Sequence, residues 1–199
     1  MSTKTILALS LALTVPCGCL SLSRQPPEKQ TYVLQLHRAS KEAHPDSGVL
    51  LVEPVRVDSA FAHKAFVYCT APQVFESDFY HEFLVPPETA LTDLLRAWLQ
   101  GGGTRVVSPG NRAAPTHALE VVVNELYGDF RDVDTQRAVV SLRATLLDAK
   151  DKIVLQRSYS ATVDLADRER ASLVRGWNVA VETVFADLER DLRPHLVGF

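Results

Sequence analysis

The residues best suited to chemistry lie together at positions 75–82, where the sequence reads FESDFYHE. Glu76 and Asp78 are two residues apart, so an extended chain would place both carboxylates on one face, as a paired-acid site requires. The simpler interpretation is a strand edge with its apolar residues turned inward and its acids in solvent. Of the two interpretations we favour the strand.

The remaining patterns do not favour an enzyme. The six histidines occur singly, and His81 lacks the second His four residues later that a zinc-binding helix needs. The glycines at 101–103 follow a helical pattern and precede a strand pattern, which reverses the order found in phosphate-binding loops. The Gly-x-Ser-x-Gly elbow of hydrolases is absent. We therefore expect no enzyme activity, no metal and no cofactor, although a triad assembled from distant residues stays open.

Composition and charge limit the fold and the partners. The chain has 199 residues, of which 46% are apolar and 23% charged, and this fits one globular domain with a sizeable core. The formal net charge is -3 and the basic residues are scattered. Binding to nucleic acid requires a basic stripe that neutralises phosphates, so we exclude it.

The first residues predict export. Lys4 precedes an apolar run over 6–15, which is too short to span a bilayer and has the length of a signal-peptide core. We predict a signal peptide over 1–18.

Cys19 predicts a lipid anchor. It follows a small residue at the end of the apolar run, as in the bacterial lipobox, where the Cys becomes the lipidated first residue; Pro16 stands where Leu is usual. Since no Asp follows Cys19, the sorting rule of Gram-negative lipoproteins indicates the outer membrane. Residues 19–30 would then form the anchor and a polar tether. An ordinary secretory peptide without lipid is the alternative.

The elements that would position these residues follow from apolar periodicity. Alternation predicts short strands in the first half of the chain, over 32–36, 49–57, 66–69 and 73–76. It then predicts a three-stranded antiparallel meander after His117. A 3.6-residue period predicts two helices, one over about 87–100 and a longer one over 173–192. We expect the α/β class: a single layered domain over 31–199, with a mixed or antiparallel sheet of about six to seven strands packed against two main helices.

Two residues inside these patterns predict particular local structure. Pro54 cannot donate a hydrogen bond to a sheet ladder, so its strand should lie at an edge, bend there or end early. Gly176 costs the long helix about 1 kcal/mol of helix propensity, so we expect it where that helix packs closely on the sheet.

The stretch over 66–99 also resembles the ABC-type transport auxiliary lipoprotein family. That family commonly shows a strand of the form hhYR, a segment Y/F-E-S-D-F-Y-x-x-F/W, a Pro-Pro or Pro-Ala step and an amphipathic helix. The matching positions are Tyr68, Phe75, Glu76, Ser77, Asp78, Phe79, Tyr80, Phe83, Pro86 and Pro87. Residues 118–132 and the closing helix resemble further segments, and the likeness covers about 30–195. It departs at Cys69, where Arg is common.

This resemblance implies a non-catalytic lipoprotein that acts beside an MCE-domain protein and an ABC permease and ATPase in moving lipids across the Gram-negative envelope. Residues 75–87 would form a structural corner in which aromatic side chains pack the β-to-α turn and exposed members contact a partner. The expected partner-binding residues are Phe79, Tyr80, Phe83, Tyr127 and Phe130. An exposed edge near Pro54, or the loop from Tyr127 to Asp132, would dock the MCE protein or a second copy of the chain, giving a homo-oligomer.

Two other classes of function stay open. One is a periplasmic lipid- or ligand-binding carrier, in which a cleft between the long helix and the sheet holds an acyl chain. Cavity volume distinguishes it, because a fully packed core has no room for a ligand. The other is a periplasmic hydrolase, which needs a Ser or Cys clustered with a His.

Overall fold

The computed structural model describes residues 28–38, 48–111 and 113–196. In these ranges nine strands form one mixed sheet, and two helices accompany it. The strands are β1 (Gln30–Tyr32), β2 (Val49–Val52), β3 (Arg56–Val57), β4 (Ala65–Ala71), β5 (Val74–Phe83), β6 (Arg105–Val107), β7 (His117–Asp129), β8 (Arg137–Asp148) and β9 (Ile153–Asp164). The helices are α1 (Pro87–Gly101) and α2 (Arg170–Leu196). The predicted α/β class is confirmed, with more strands than the six to seven expected.

Strand β7 is the centre of the sheet. On one side β8 pairs antiparallel with it from end to end, and β9 pairs with β8, so the predicted meander is confirmed. On the other side β2, β3 and β4 follow one another along β7, each parallel to it. Beyond them lie β6 next to β2, and β5 and then β1 next to β4.

Alternation along the meander separates a buried face from a polar one. The inward side chains of β7 and β8 are at most 2% exposed: Leu119, Val121, Val123, Leu126, Ala138, Val140, Leu142, Ala144 and Leu146. The other face of β8 and β9 is polar and largely exposed, with Arg143, Gln156, Ser158, Ser160 and Thr162. An antiparallel sheet with one face in water has this pattern.

Helix α2 covers the buried face of the meander. Its stripe includes Trp177, Val181 and Leu188, each 0% exposed. A Cβ on Gly176 would lie 2.8 Å from both Ala138 Cβ and Leu165 Cδ2. Real Cβ atoms do not approach other carbons so closely, so the prediction that Gly176 marks close packing on the sheet is confirmed.

The chain around Pro54 ends a strand early, as predicted, but it is not an open edge. Strand β2 ends at Val52, whose carbonyl accepts a hydrogen bond from Arg96 Nη2 at 2.8 Å. The Val55 amide donates to Thr92 Oγ1 at 2.8 Å. Side chains of α1 therefore satisfy the backbone groups that Pro54 leaves out of the sheet. Among the described strands, β9 is the long strand that pairs with only one other strand, β8.

The strand predicted over 32–36 starts earlier and leaves the sheet after Tyr32. The Gln35 amide donates to Asn178 Oδ1 at 3.1 Å, and the His37 amide donates to Glu182 Oε1 at 2.6 Å. Residues 33–38 thus run along α2, whose side chains accept their hydrogen bonds in place of a neighbouring strand. The alternation that predicted a strand arises here because Leu34 is buried while its neighbours are not.

Candidate binding surface

Strand β5 carries the FESDFYHEF stretch, and a bulge interrupts it. Ser77 pairs with Val67 of β4, and the next pair is Glu82 with Ala65. Between these pairs β4 advances two residues and β5 advances five, so three extra residues of β5 have no place in the ladder. A bulge of this kind changes the direction in which side chains point.

The Asp78 carboxylate holds this bulge. Its Oδ1 accepts hydrogen bonds from the Tyr80 amide at 2.7 Å and the His81 amide at 3.1 Å. Its Oδ2 accepts from the Tyr68 hydroxyl at 2.5 Å and lies 2.8 Å from His81 Nδ1. Only 9% of the side chain is exposed. The expectation that the acids point to solvent is therefore wrong for Asp78, and the reason is the bulge.

The charges around Asp78 favour its ionised form. Burial alone would raise the pKa of this carboxyl, but the hydrogen bonds from Tyr68, the Tyr80 amide and His81 bring the pKa below its usual value. Burial and the bond to Asp78 raise the pKa of the Tyr68 hydroxyl. The Arg170 guanidinium lies 3.7 Å from Asp78 Oδ2 and stacks over the Tyr68 ring at 4.7 Å. The Asp78 carboxylate is thus an anion held in one position, and it binds the backbone of the bulge and the Tyr68 side chain.

The bulge presents aromatic side chains to solvent. Phe79 is 72% exposed and Tyr80 is 38% exposed, and their rings pack edge to face at 5.1 Å. Leu84 and Val85, which follow β5, are also exposed. We name these four residues the bulge surface. The expectation that the aromatic residues pack the β-to-α turn is wrong for Phe79 and Tyr80.

A second aromatic group lies nearer the β4–β5 turn. Tyr127 stacks on Phe61 with ring centroids 5.8 Å apart and meets Phe75 edge to face at 5.3 Å. Phe61 is buried, whereas Phe75 is 48% exposed. Val74 beside it is also exposed. We name the three rings of Phe61, Phe75 and Tyr127 the tip cluster.

The five residues predicted to bind a partner do not form one surface. Phe83 is 4% exposed and packs 4.7 Å from Phe66 in the core. Phe130 stacks on Tyr68 at 4.8 Å under the Arg170 guanidinium. Tyr127 belongs to the tip cluster, and Phe79 and Tyr80 belong to the bulge surface. Partner contact by these residues stays a prediction.

A buried ion cluster, which the sequence patterns did not predict, joins both helices to the segment after β1. Arg38 donates two hydrogen bonds to Glu189, at 2.7 and 3.0 Å, and one to the Trp98 carbonyl at 2.9 Å. The Trp98 indole and Arg193 also donate to Glu189, at 2.9 and 3.3 Å. Burial would raise the pKa of Glu189, but these cations and bonds lower it below its usual value. Glu189 lies directly after Leu188 of the apolar stripe. A charged residue next to the buried stripe is the sequence feature that indicates a buried, paired carboxylate.

Charged side chains line three depressions on the described surface. Volumes of about 310, 380 and 270 Å³ lie next to Arg56 and Glu120, next to Asp129 and Arg137, and next to Glu88 and Arg96. The described residues hold no group of three or more His, Cys, Asp or Glu side chains that could bind a metal ion. Within the same part of the chain, neither helix has the length and apolar character needed to cross a membrane.

The fold is an α/β domain that exposes two groups of apolar side chains, the bulge surface and the tip cluster. The sequence matches the family model of the ABC-type transport auxiliary lipoprotein component over residues 32–189. The chain belongs to this family, which confirms the resemblance. Among curated proteins, none matches the sequence.

Solved structures share the fold. Protein XCC0632 from Xanthomonas campestris has a TM-score of 0.69 at 16% sequence identity, over 80% of this chain and 92% of that one. The crystal structure of an uncharacterized protein has a TM-score of 0.68 at 20% identity, over 83% of this chain and 99% of that one. At these identities the likeness establishes the fold alone.

Proposed function

We propose that this chain is a non-catalytic lipoprotein subunit of an MCE/ABC-type transport system that moves lipids between the inner and outer membranes. Residues 1–18 are its signal peptide, Cys19 carries the lipid in the outer membrane, and 19–30 link the anchor to the domain over 31–199. ATP hydrolysis belongs to the partner ATPase. The observation that carries this proposal is the family match over most of the folded domain.

The tip cluster is the surface proposed to contact the MCE-domain protein. Phe75 is 48% exposed, and its ring packs edge to face on the rings of Tyr127 and Phe61. Exposed aromatic side chains on a rigid support are typical of binding hot spots, because they bury a large area with little loss of side-chain entropy.

The carrier alternative needs space between α2 and the sheet. Four large side chains on the inner face of α2 are 0% exposed: Leu173, Trp177, Val181 and Leu188. A Cβ on Gly176 would lie 2.8 Å from Ala138 Cβ, so the helix backbone lies directly against the sheet. This packing counts against an acyl chain bound in that position.

Photocrosslinking tests the proposed contact. A photoreactive amino acid replaces Phe75 in the full chain, expressed in its native envelope, and the crosslinked partners are identified by mass spectrometry. The control carries the same amino acid at Ile153, which is 52% exposed on β9 at the far edge of the sheet. We expect an adduct with an MCE-domain protein from position 75 and none from position 153. An MCE adduct from both positions, or from neither, contradicts the proposed contact.

A further inference from the structure

The chain enters the fold beside the bulge surface. The Lys29 ammonium lies 3.0 Å from the Glu82 carboxylate and 5.5 Å from the centre of the Phe79 ring. Strand β1 begins with the next residue, Gln30, which pairs with His81 of β5. The end of the domain that receives the tether is therefore the end that exposes Phe79.

The full reach of the tether is close to the diameter of the domain. Between Cys19 and Lys29 a fully extended chain reaches about 35 Å. A compact domain of this size has a radius of gyration of about 15 Å and hence a diameter of about 40 Å. A lipid on Cys19 thus excludes the fully inverted orientation, in which β9 lies on the bilayer and the bulge surface a whole diameter above it.

The bulge surface has the composition of a membrane-contacting surface. Phe79 and Tyr80 are aromatic, Leu84 and Val85 are aliphatic, and all four are more than a third exposed. Aromatic and aliphatic side chains of this kind favour the interfacial layer of a bilayer, at about 5–10 Å depth.

The charges at the bulge also suit a bilayer. Asp78, which lies between the aromatic residues in sequence, turns inward, where Tyr68 and His81 bind it. Glu82 is paired with Lys29. Lys64 donates to the Leu84 carbonyl at 2.8 Å, which places a second cation beside the apolar residues. Cations next to an inserted apolar surface interact favourably with anionic headgroups.

We propose that the bulge surface lies in the interfacial layer of the bilayer that holds the lipid anchor, so that the domain is docked in one orientation. The inference rests on the anchor at Cys19 in the proposed function. A fixed orientation would aim the tip cluster, farther from the tether along β5, at a protein partner. A protein is the competing occupant of the bulge surface, and the attachment of the tether beside this surface, at Lys29, favours the membrane.

Quenching of tryptophan by brominated lipid tests this inference. The Phe79→Trp variant of the lipidated full chain is reconstituted in vesicles of phosphatidylethanolamine and phosphatidylglycerol with brominated acyl chains. The matched control is Ile153→Trp. Of the native tryptophans, Trp177 is fully buried and Trp98 is partly buried, so the parent chain supplies the background.

We expect the emission added by Phe79→Trp to be mostly lost in brominated vesicles and the emission added by Ile153→Trp to be retained. Vesicle flotation of the same samples reports the anchor separately. Protein that floats but shows no loss at position 79, or equal loss at both positions, overturns the docking and leaves the anchor intact. Protein that does not float overturns the anchor and the docking with it. If position 79 is unquenched and crosslinks to a protein instead, the docking is overturned and the bulge surface binds that protein.

Discussion

Removing the Asp78 carboxylate tests whether this acid holds the bulge of β5. Asp78→Ala leaves the Tyr68 hydroxyl and the two amides of Tyr80 and His81 without their acceptor. Hydrogen bonds to a charged group contribute about 1.5–3 kcal/mol each, and water can replace part of that at the bulge, so we expect a loss of about 2–4 kcal/mol in the free energy of unfolding. With a urea m value of about 2 kcal/mol/M, the unfolding midpoint should fall by about 1–2 M.

Two controls make this measurement specific. Asp78→Asn keeps an oxygen for the backbone amides and loses the charge, so its midpoint should lie between those of the parent and Asp78→Ala. Glu76→Ala removes an exposed carboxylate that accepts one bond, from Thr70, and should change stability by less than about 0.5 kcal/mol. Equal midpoints for Asp78→Ala and Glu76→Ala would refute the assignment of Asp78 as the group that holds the bulge.

The same variants carry a pH signature. The pKa of Asp78 is lower in the folded protein than its ordinary value of 3.8. Its stabilisation is therefore present above that ordinary value and lost as the pH falls through the folded-state pKa. The difference in unfolding free energy between the parent and Asp78→Asn should be constant near neutral pH and shrink in acid below 3.8. A difference that grows in acid would contradict the sign of this shift.

Three further predictions concern packing, the ion cluster and assembly. Gly176→Ala should destabilise by about 1–3 kcal/mol through overpacking against Ala138, despite its higher helix propensity, and an unchanged urea midpoint would contradict the close approach. Glu189→Gln removes the buried carboxylate that accepts two hydrogen bonds from Arg38 and should cost about 3–5 kcal/mol, whereas a cost below about 1 kcal/mol would show that the cluster contributes little. Light scattering of the unlipidated Cys19→Ala chain should show a homo-oligomer, and a monomer at all concentrations would count against self-association.

Regular periodicity predicted the helices and strands that bury a single face. The α2 stripe around Trp177 and the alternation of β7 and β8 reflect a single buried face, so each residue's side follows from its position. Pro54 and Gly176 also predicted local structure, because proline and glycine each affect the backbone at their own position.

Local pattern could not predict features that depend on distant partners. The inward turn of Asp78 depends on Tyr68 of the neighbouring strand and on three extra residues in β5. The segment after Tyr32 alternates like a strand, yet side chains of α2 supply its hydrogen bonds. Arg38 and Glu189 are far apart in sequence, so only the fold shows that they pair.

The intact mass of the protein extracted from membranes tests the central claim, a lipid anchor on a subunit of the transport system, most directly. We predict the mass of the chain beginning at Cys19 plus a diacylglycerol and an acyl chain, and we predict that the Cys19→Ala variant lacks this addition and leaves the membrane fraction. An unmodified mass, with the wild-type chain recovered in the soluble fraction, would contradict the anchored-subunit account.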